Sequence, residues 1–121
     1  MSAAALSGSC HCGAVTFRLA TRPAQIVKCN CSACRRYRAL WAHMPPDQVD
    51  VTGQTATYSH GDKQLAFHFC RRCGATTHWT PIKPQPGAPW MAVNLAMAVP
   101  DQIADIPVRH FDGAETWRFL D

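Results

Sequence analysis

The sequence has no apolar run approaching the roughly 20 residues that a helix needs to cross a bilayer. A helical membrane protein is therefore excluded, and no membrane partner is expected. Met1 to Ser9 is small and polar, without a basic start or a long apolar core, so no secretory signal peptide is read there. Charge is scarce as well: 17% of the 121 residues are charged against 47% hydrophobic, a balance that excludes a disordered chain. No Gly/Ser-rich linker divides the chain, which suits one domain over residues 1–121 with a modest core. These absences set a cytoplasmic, reducing location as the expectation. In such a location clustered cysteines serve metals in preference to disulfides.

What the chain does have is seven cysteines in three clusters. The first and last echo each other: Cys10-His11-Cys12-Gly13-Ala14 and Cys70-Arg71-Arg72-Cys73-Gly74-Ala75 both end in Cys-Gly-Ala and both lead into a strand pattern. A glycine after the second cysteine permits a left-handed turn that aims backbone amides at sulfur. Two such knuckles facing each other make a tetrahedral Cys₄ site for a structural zinc, Cys10, Cys12, Cys70 and Cys73. That site would close a loop of some 60 residues.

Cys29, Cys31 and Cys34 are then left without a fourth cysteine. Three protein ligands and one position for water or substrate is the pattern of a catalytic zinc. Thiolate ligands favour zinc over harder metals, and a substrate thiol would match them as the fourth ligand. Arg35, Arg36 and Arg38 follow at once and could pair with substrate carboxylates, although a solvated basic turn explains any one of them equally well. Among six histidines, His11 is placed to support the first pair of ligands. His68 and His78 flank the second knuckle in core or surface roles, His60 falls in an exposed turn, and His43 is the one that could close the open site. The formal charge of +4 does not argue for nucleic acid. Seven thiolates on two Zn²⁺ ions lower it by seven and raise it by four, to about +1, which leaves only a local basic cluster at 35–38.

Alternation of Val15, Phe17 and Leu19 predicts a half-buried strand over 14–19, and residues 25–28 predict a short strand delivering Cys29. Residues 32–38 suit a short helix or turn with Ser32 as N-cap. An apolar stretch at 40–44 ends at Pro45-Pro46. Strands are predicted at 49–52 and 55–59, joined like a hairpin at Gly53-Gln54, and then at 65–70 after a turn at Gly61-Asp62. Further strands at 75–80 and 90–95 flank a proline-rich loop at 81–89, beside which Trp90 could line a pocket. One helical turn is read at 100–103. Many short strands make the expected fold mainly β.

Three segments, Gly8-Ser9-Cys10-His11-Cys12-Gly13-Ala14-Val15, Cys29-Asn30-Cys31-Ser32-Ala33-Cys34-Arg35 and Phe69-Cys70-Arg71-Arg72-Cys73-Gly74, closely resemble the glutathione-dependent formaldehyde-activating enzyme (GFA, or centromere-protein-V) family. The stretch Ile106 to Gly113 is similar to it more weakly. The resemblance implies an Mss4-like, or β-tent, fold and the same division of cysteines, with two zinc ions per chain. It implies a carbon–sulfur lyase that forms S-(hydroxymethyl)glutathione from formaldehyde and glutathione, a small-molecule thiol being the partner. Two alternatives stand beside it. One keeps the site and changes the thiol or the electrophile. The other is a non-catalytic, zinc-stabilised binding module that uses Arg35–Arg38 and Trp41, with nucleic acid as its weakest partner.

Overall fold

The computed structural model describes residues 4–61, 64–83 and 90–121. Val15, Phe17 and Leu19 are each almost wholly buried, as their alternation predicts, and Thr16 and Arg18 face outward between them. The strands are β1 (Leu6–Ser9), β2 (Thr16–Leu19), β3 (Ile26–Cys29), β4 (Trp41–Met44), β5 (Val49–Thr52), β6 (Thr55–Tyr58), β7 (Leu65–Cys70), β8 (Thr76–Pro81), β9 (Met91–Asn94) and β10 (Val108–Phe111). Two single-turn helices, α1 (Cys34–Tyr37) and α2 (Pro100–Ile103), join them. The mainly β expectation therefore holds.

The strands form two sheets, ordered β1-β2-β5 and β10-β3-β4-β9-β8-β7-β6. The main core lies between them: Leu6, Phe17 and Leu19 from the smaller sheet meet Ile26, Ala42, Met44, Met91, Val93 and Leu95. A second cluster, built on Val27, Cys34, Trp41, Phe67, Trp79 and Ala92, packs beside the central cysteines. Among the described residues, no buried side-chain nitrogen or oxygen lacks a hydrogen-bond partner. Asn94 accepts from the amides of Leu40 and Ala96 and donates to the Thr76 carbonyl, so one side chain ties together three connections.

Three local expectations are corrected. Residues 49–52 and 55–58 are both strands but not a hairpin: β5 pairs antiparallel with β2, and β6 pairs with β7 in the other sheet. Gly53, at φ +106°, turns the chain from one sheet to the other. Ser32 does not cap α1, because Ala33 holds that position with no side-chain bond. The first helical amide, that of Cys34, donates instead to the Cys31 sulfur at 3.4 Å. Finally, β1 was not foreseen, because Leu6-Ser7-Gly8-Ser9 carries one apolar residue in four; pairing to β2 makes it a strand. Of the turn at Gly61-Asp62 and the loop at 81–89, residue 62 and residues 84–89 lie outside the described residues; Pro81 closes β8.

Candidate metal centres

The two Cys-Gly-Ala segments form matching knuckles. In each, the first cysteine's amide bonds the carbonyl five residues on, Cys10 to Val15 and Cys70 to Ala75, both at 2.9 Å. The glycine amide closes the turn onto the first cysteine's carbonyl, Gly13 to Cys10 and Gly74 to Cys70. Gly13 and Gly74 have φ of +83° and +79°, the left-handed turn the sequence asks for. Amides then point at sulfur: Val15 N–H donates to Cys10 Sγ at 3.3 Å and Arg72 N–H to Cys70 Sγ at 3.4 Å.

β1 delivers Cys10 and β7 delivers Cys70, so the knuckles face each other, and the four sulfurs lie within 4.8 Å of one another. Four thiolates at the usual Zn–S length of about 2.3 Å stand about 3.8 Å apart at the corners of a tetrahedron. The distances Cys10–Cys12 and Cys12–Cys70 are 3.7 and 3.6 Å. Cys10 and Cys70 are buried and pack on Val15, Val51 and Met97. The donor set and its spacing fit a tetrahedral zinc. Without a metal the four thiols share protons. Amide donation from Ala75 and Cys12 lowers Cys73 to about 6, and the Cys73 and Arg72 amides lower Cys70. At Cys12 the Ala14 amide pulls downward, but burial and protons shared with Cys70, Cys10 and Cys73 win and raise it to about 11. A dication would displace those protons.

The second group is Cys29 at the end of β3, Cys31 in the following loop, and Cys34 opening α1, their sulfurs again within 4.8 Å of one another. Among the described residues no histidine, carboxylate or fourth cysteine joins them. Each sulfur accepts at least one N–H: Cys29 from the Cys31 amide at 3.5 Å and from the Gly113 amide, Cys31 from the Cys34 amide at 3.4 Å, and Cys34 from the Trp41 indole at 3.4 Å. Such donors stabilise thiolates, and three sulfurs so served fit a soft dication with one position free for a further ligand. Hydrogen bonding from the Cys34 thiol, helped by the Cys31 and Gly113 amides, lowers Cys29 to about 6; Cys34 moves far upward because it keeps the shared proton.

The arginines diverge. All three are exposed, and Arg38 ends α1 in a left-handed conformation. Only Arg36 lines a groove of about 230 Å³, together with Ser32, Ala33, Tyr37, Tyr58 and His60. Arg36 also donates to the Ser32 carbonyl at 2.7 Å. An aromatic tier backs this groove: Phe67 lies 5.2 Å from Tyr37, 6.1 Å from His60 and 6.1 Å from Trp41, and His60 stacks on Tyr58. His60 is exposed, as expected, yet its place in this tier was not readable from sequence. A larger concavity, about 570 Å³, lies over β1 and β2 and contains none of the seven cysteines.

His43 does not close the open group; its ring meets Trp79 edge-on at 5.6 Å. His68 and His78 stack on each other at 4.0 Å, and His11 is exposed. Sequence reading missed Asp112 and Gly113, which press on the Cys29–Cys31 loop from the far end of the chain. An Asp-Gly pair closing an apolar strand was the available signal.

A mainly β protein with one four-cysteine and one three-cysteine group is a candidate two-metal protein. The chain belongs to the glutathione-dependent formaldehyde-activating enzyme family, whose model matches residues 5–109, and its architecture is the Mss4-like one the resemblance implies. It is 30% identical over 86 residues to a Halomonas elongata protein named as a candidate glutathione-dependent formaldehyde-activating enzyme, covering 58% of this chain. This chain spans 52% of that relative's length. It is also similar to a Rhodobacter sphaeroides protein of known crystal structure, with a TM-score of 0.66 and 29% identity, covering 85% of this chain and 99% of the other. No helix among the described residues is long and apolar enough to cross a membrane.

Proposed function

We propose that this protein is a zinc-dependent carbon–sulfur lyase acting on adducts of a small thiol and an aldehyde, glutathione and formaldehyde being the pair the family name supports. Cys29, Cys31 and Cys34 hold the catalytic zinc, and Cys10, Cys12, Cys70 and Cys73 hold a structural one. One observation carries the reading: four sulfurs make a complete ligand set, while three sulfurs, each accepting an N–H, stand without a fourth protein ligand among the described residues.

A zinc ion in the open group supplies a site that keeps a substrate thiol deprotonated near neutral pH. The reaction is an addition in which a new S–C bond forms to the carbonyl carbon and the thiol proton ends on the carbonyl oxygen; the reverse direction releases the aldehyde. The chain's own residues bind and orient. Trp41 and the Cys31 and Cys34 amides hold the three sulfurs as thiolates. The groove along Ser32 and Ala33 takes the body of the thiol against Tyr37, Tyr58 and His60. Arg36 offers a guanidinium to a substrate carboxylate, and Arg35 and Arg38 add long-range attraction for an anion. The reading extends to one domain in a reducing, cytoplasmic setting, where such thiols are plentiful.

The test is a panel of thiols, glutathione and cysteine among them, each mixed with formaldehyde and followed with wild type and Cys31→Ser. At least one thiol should react well above its spontaneous rate with wild type and at the spontaneous rate with the variant, which stays folded. No acceleration with any thiol removes the proposed reaction. A Cys31→Ser protein that fails to fold makes the second group structural and favours a binding module.

A further inference from the structure

The last strand and the turn after it are built against the open cysteine group, and most of this segment lies beyond residues 5–109 that the family model matches. β10 runs parallel to β3 with Phe111 opposite Cys29, and the Asn30 amide donates to the Phe111 carbonyl at 3.2 Å. Asn30, between two of the cysteines, is then held by its side chain. Its Nδ2 donates to Asp112 Oδ1 at 3.0 Å, and its Oδ1 accepts from the Ala114 amide at 3.0 Å. Asp112 is 8% exposed. Its second oxygen accepts from the Thr116 amide at 3.2 Å and the Thr116 hydroxyl at 2.9 Å. The main chain closes behind it, the Trp117 amide bonding the Asp112 carbonyl and the Asp112 amide the Arg118 carbonyl, both at 2.8 Å.

Gly113 lies at the contact itself. A Cβ there would stand 2.6 Å from Cys29 Sγ and 3.3 Å from Cys31 Cβ, closer than a side chain can approach sulfur without moving it. Bare backbone therefore forms one wall of the cysteine group. A carboxylate whose bonds to Asn30 and Thr116 serve one loop and its own turn is a costly device for general stability, since burying its charge requires all those partners. It suits a loop whose shape must be fixed before a ligand arrives.

We propose that Asn30, Asp112 and Gly113 are positioning residues that set the metal affinity of the Cys29/Cys31/Cys34 group. Asp112 locks the Cys29–Cys31 loop through Asn30, and the Gly113 backbone fixes where the Cys29 sulfur can lie. The inference rests on the reading of this group as a metal site. Groups that support ligands in this way typically change metal affinity about 10- to 100-fold when altered.

Cobalt(II) titration against a competing chelator tests it, read by thiolate-to-metal absorption and by metal count, with the four-cysteine group as internal reference. Wild type should bind two ions. Asp112→Ala and Gly113→Ala should keep one ion at wild-type affinity and bind the second about 10- to 100-fold more weakly. The exchange Asn30→Asp with Asp112→Asn keeps all four contacts, with the bond between residues 30 and 112 donated from the opposite side, and it should restore the second ion relative to Asp112→Ala. If Asp112→Ala does not fold, Gly113→Ala, whose new methyl meets the cysteine loop and Phe111, carries the test. Unchanged affinity for both ions in Gly113→Ala overturns the proposal. So does equal weakening of both ions, which marks a general loss of stability. A wild type that binds one ion overturns the metal-site reading itself, and this proposal with it.

Discussion

Nitrogen-to-sulfur hydrogen bonds decide what each cysteine can do. The indole of Trp41 donates to Cys34 from a side chain that is 2% exposed, so Trp41 both fills the second core cluster and serves a candidate ligand. Trp41→Phe keeps most of the volume but leaves a small gap and a sulfur without its donor. We expect a loss of about 1–3 kcal/mol in denaturant unfolding and weaker cobalt binding at the three-cysteine group alone. At this scale the sequence was highly informative about the cysteines, because ligand spacing and the Cys-Gly-Ala echo are local. It gave no role to Asp112 and Gly113: the Asp-Gly pair marks a turn after an apolar stretch, but what that turn presses on is set by a contact across some 80 residues.

Among elements, β7 and β8 carry a feature that ligand arithmetic overlooks. His68 and His78 face each other across the pair and stack at 4.0 Å. His68 is bonded by Thr55 at Nδ1 and Thr80 at Nε2, and His78 by Thr77 at Nδ1. Burial, followed by repulsion from His68, lowers His78 to about 4, and burial lowers His68 too. The folded protein thus takes up these protons less readily than the unfolded chain, whose histidines titrate near 6.5. The His78 contribution is complete above about pH 6.5 and is lost as pH falls toward 4, on the order of 3 kcal/mol. Denaturant midpoints at pH 7 and pH 5 should show this loss, and His78→Gln, compared at equal zinc content, should reduce the slope. Strand content itself was legible where residues alternate, as at 15–19. It was equally legible over 65–70, where β7 lies as expected; only its burial was not, because a register shift between His68 and Phe69 leaves Phe67 buried and Leu65 and Phe69 only partly so. The 53–54 turn signal was real, but which sheet each flanking strand joins depends on long-range pairing.

For the whole molecule, the four-cysteine group joins the smaller sheet, through Cys10 after β1, to the larger one, through Cys70 at the end of β7. A metal there closes a long loop and ties two sheets whose shared core is modest. Elemental analysis of loaded protein should give about two zinc ions per chain. Cys70→Ser should abolish the cooperative thermal transition, whereas Cys31→Ser should retain it with about one zinc. A strong chelator should lower the wild-type midpoint by roughly 10 °C or more, in keeping with a loss of several kcal/mol for a chain of this size. One ion in the loaded wild type, or a chelated protein that melts unchanged, would contradict this account.

The spacing of those four sulfurs also has a redox consequence. Cys12 and Cys70 stand 3.6 Å apart, and a disulfide needs about 2.05 Å between sulfurs. In air, a stripped protein is therefore a small movement away from covalent closure. Once Cys12 and Cys70 are joined, two of the four ligands are consumed and zinc cannot return until a reductant reopens the bond. A metal held there would thus double as a protecting group for these thiols. Samples purified with chelator and without reductant should show a loss of free thiols by Ellman titration that zinc added beforehand prevents.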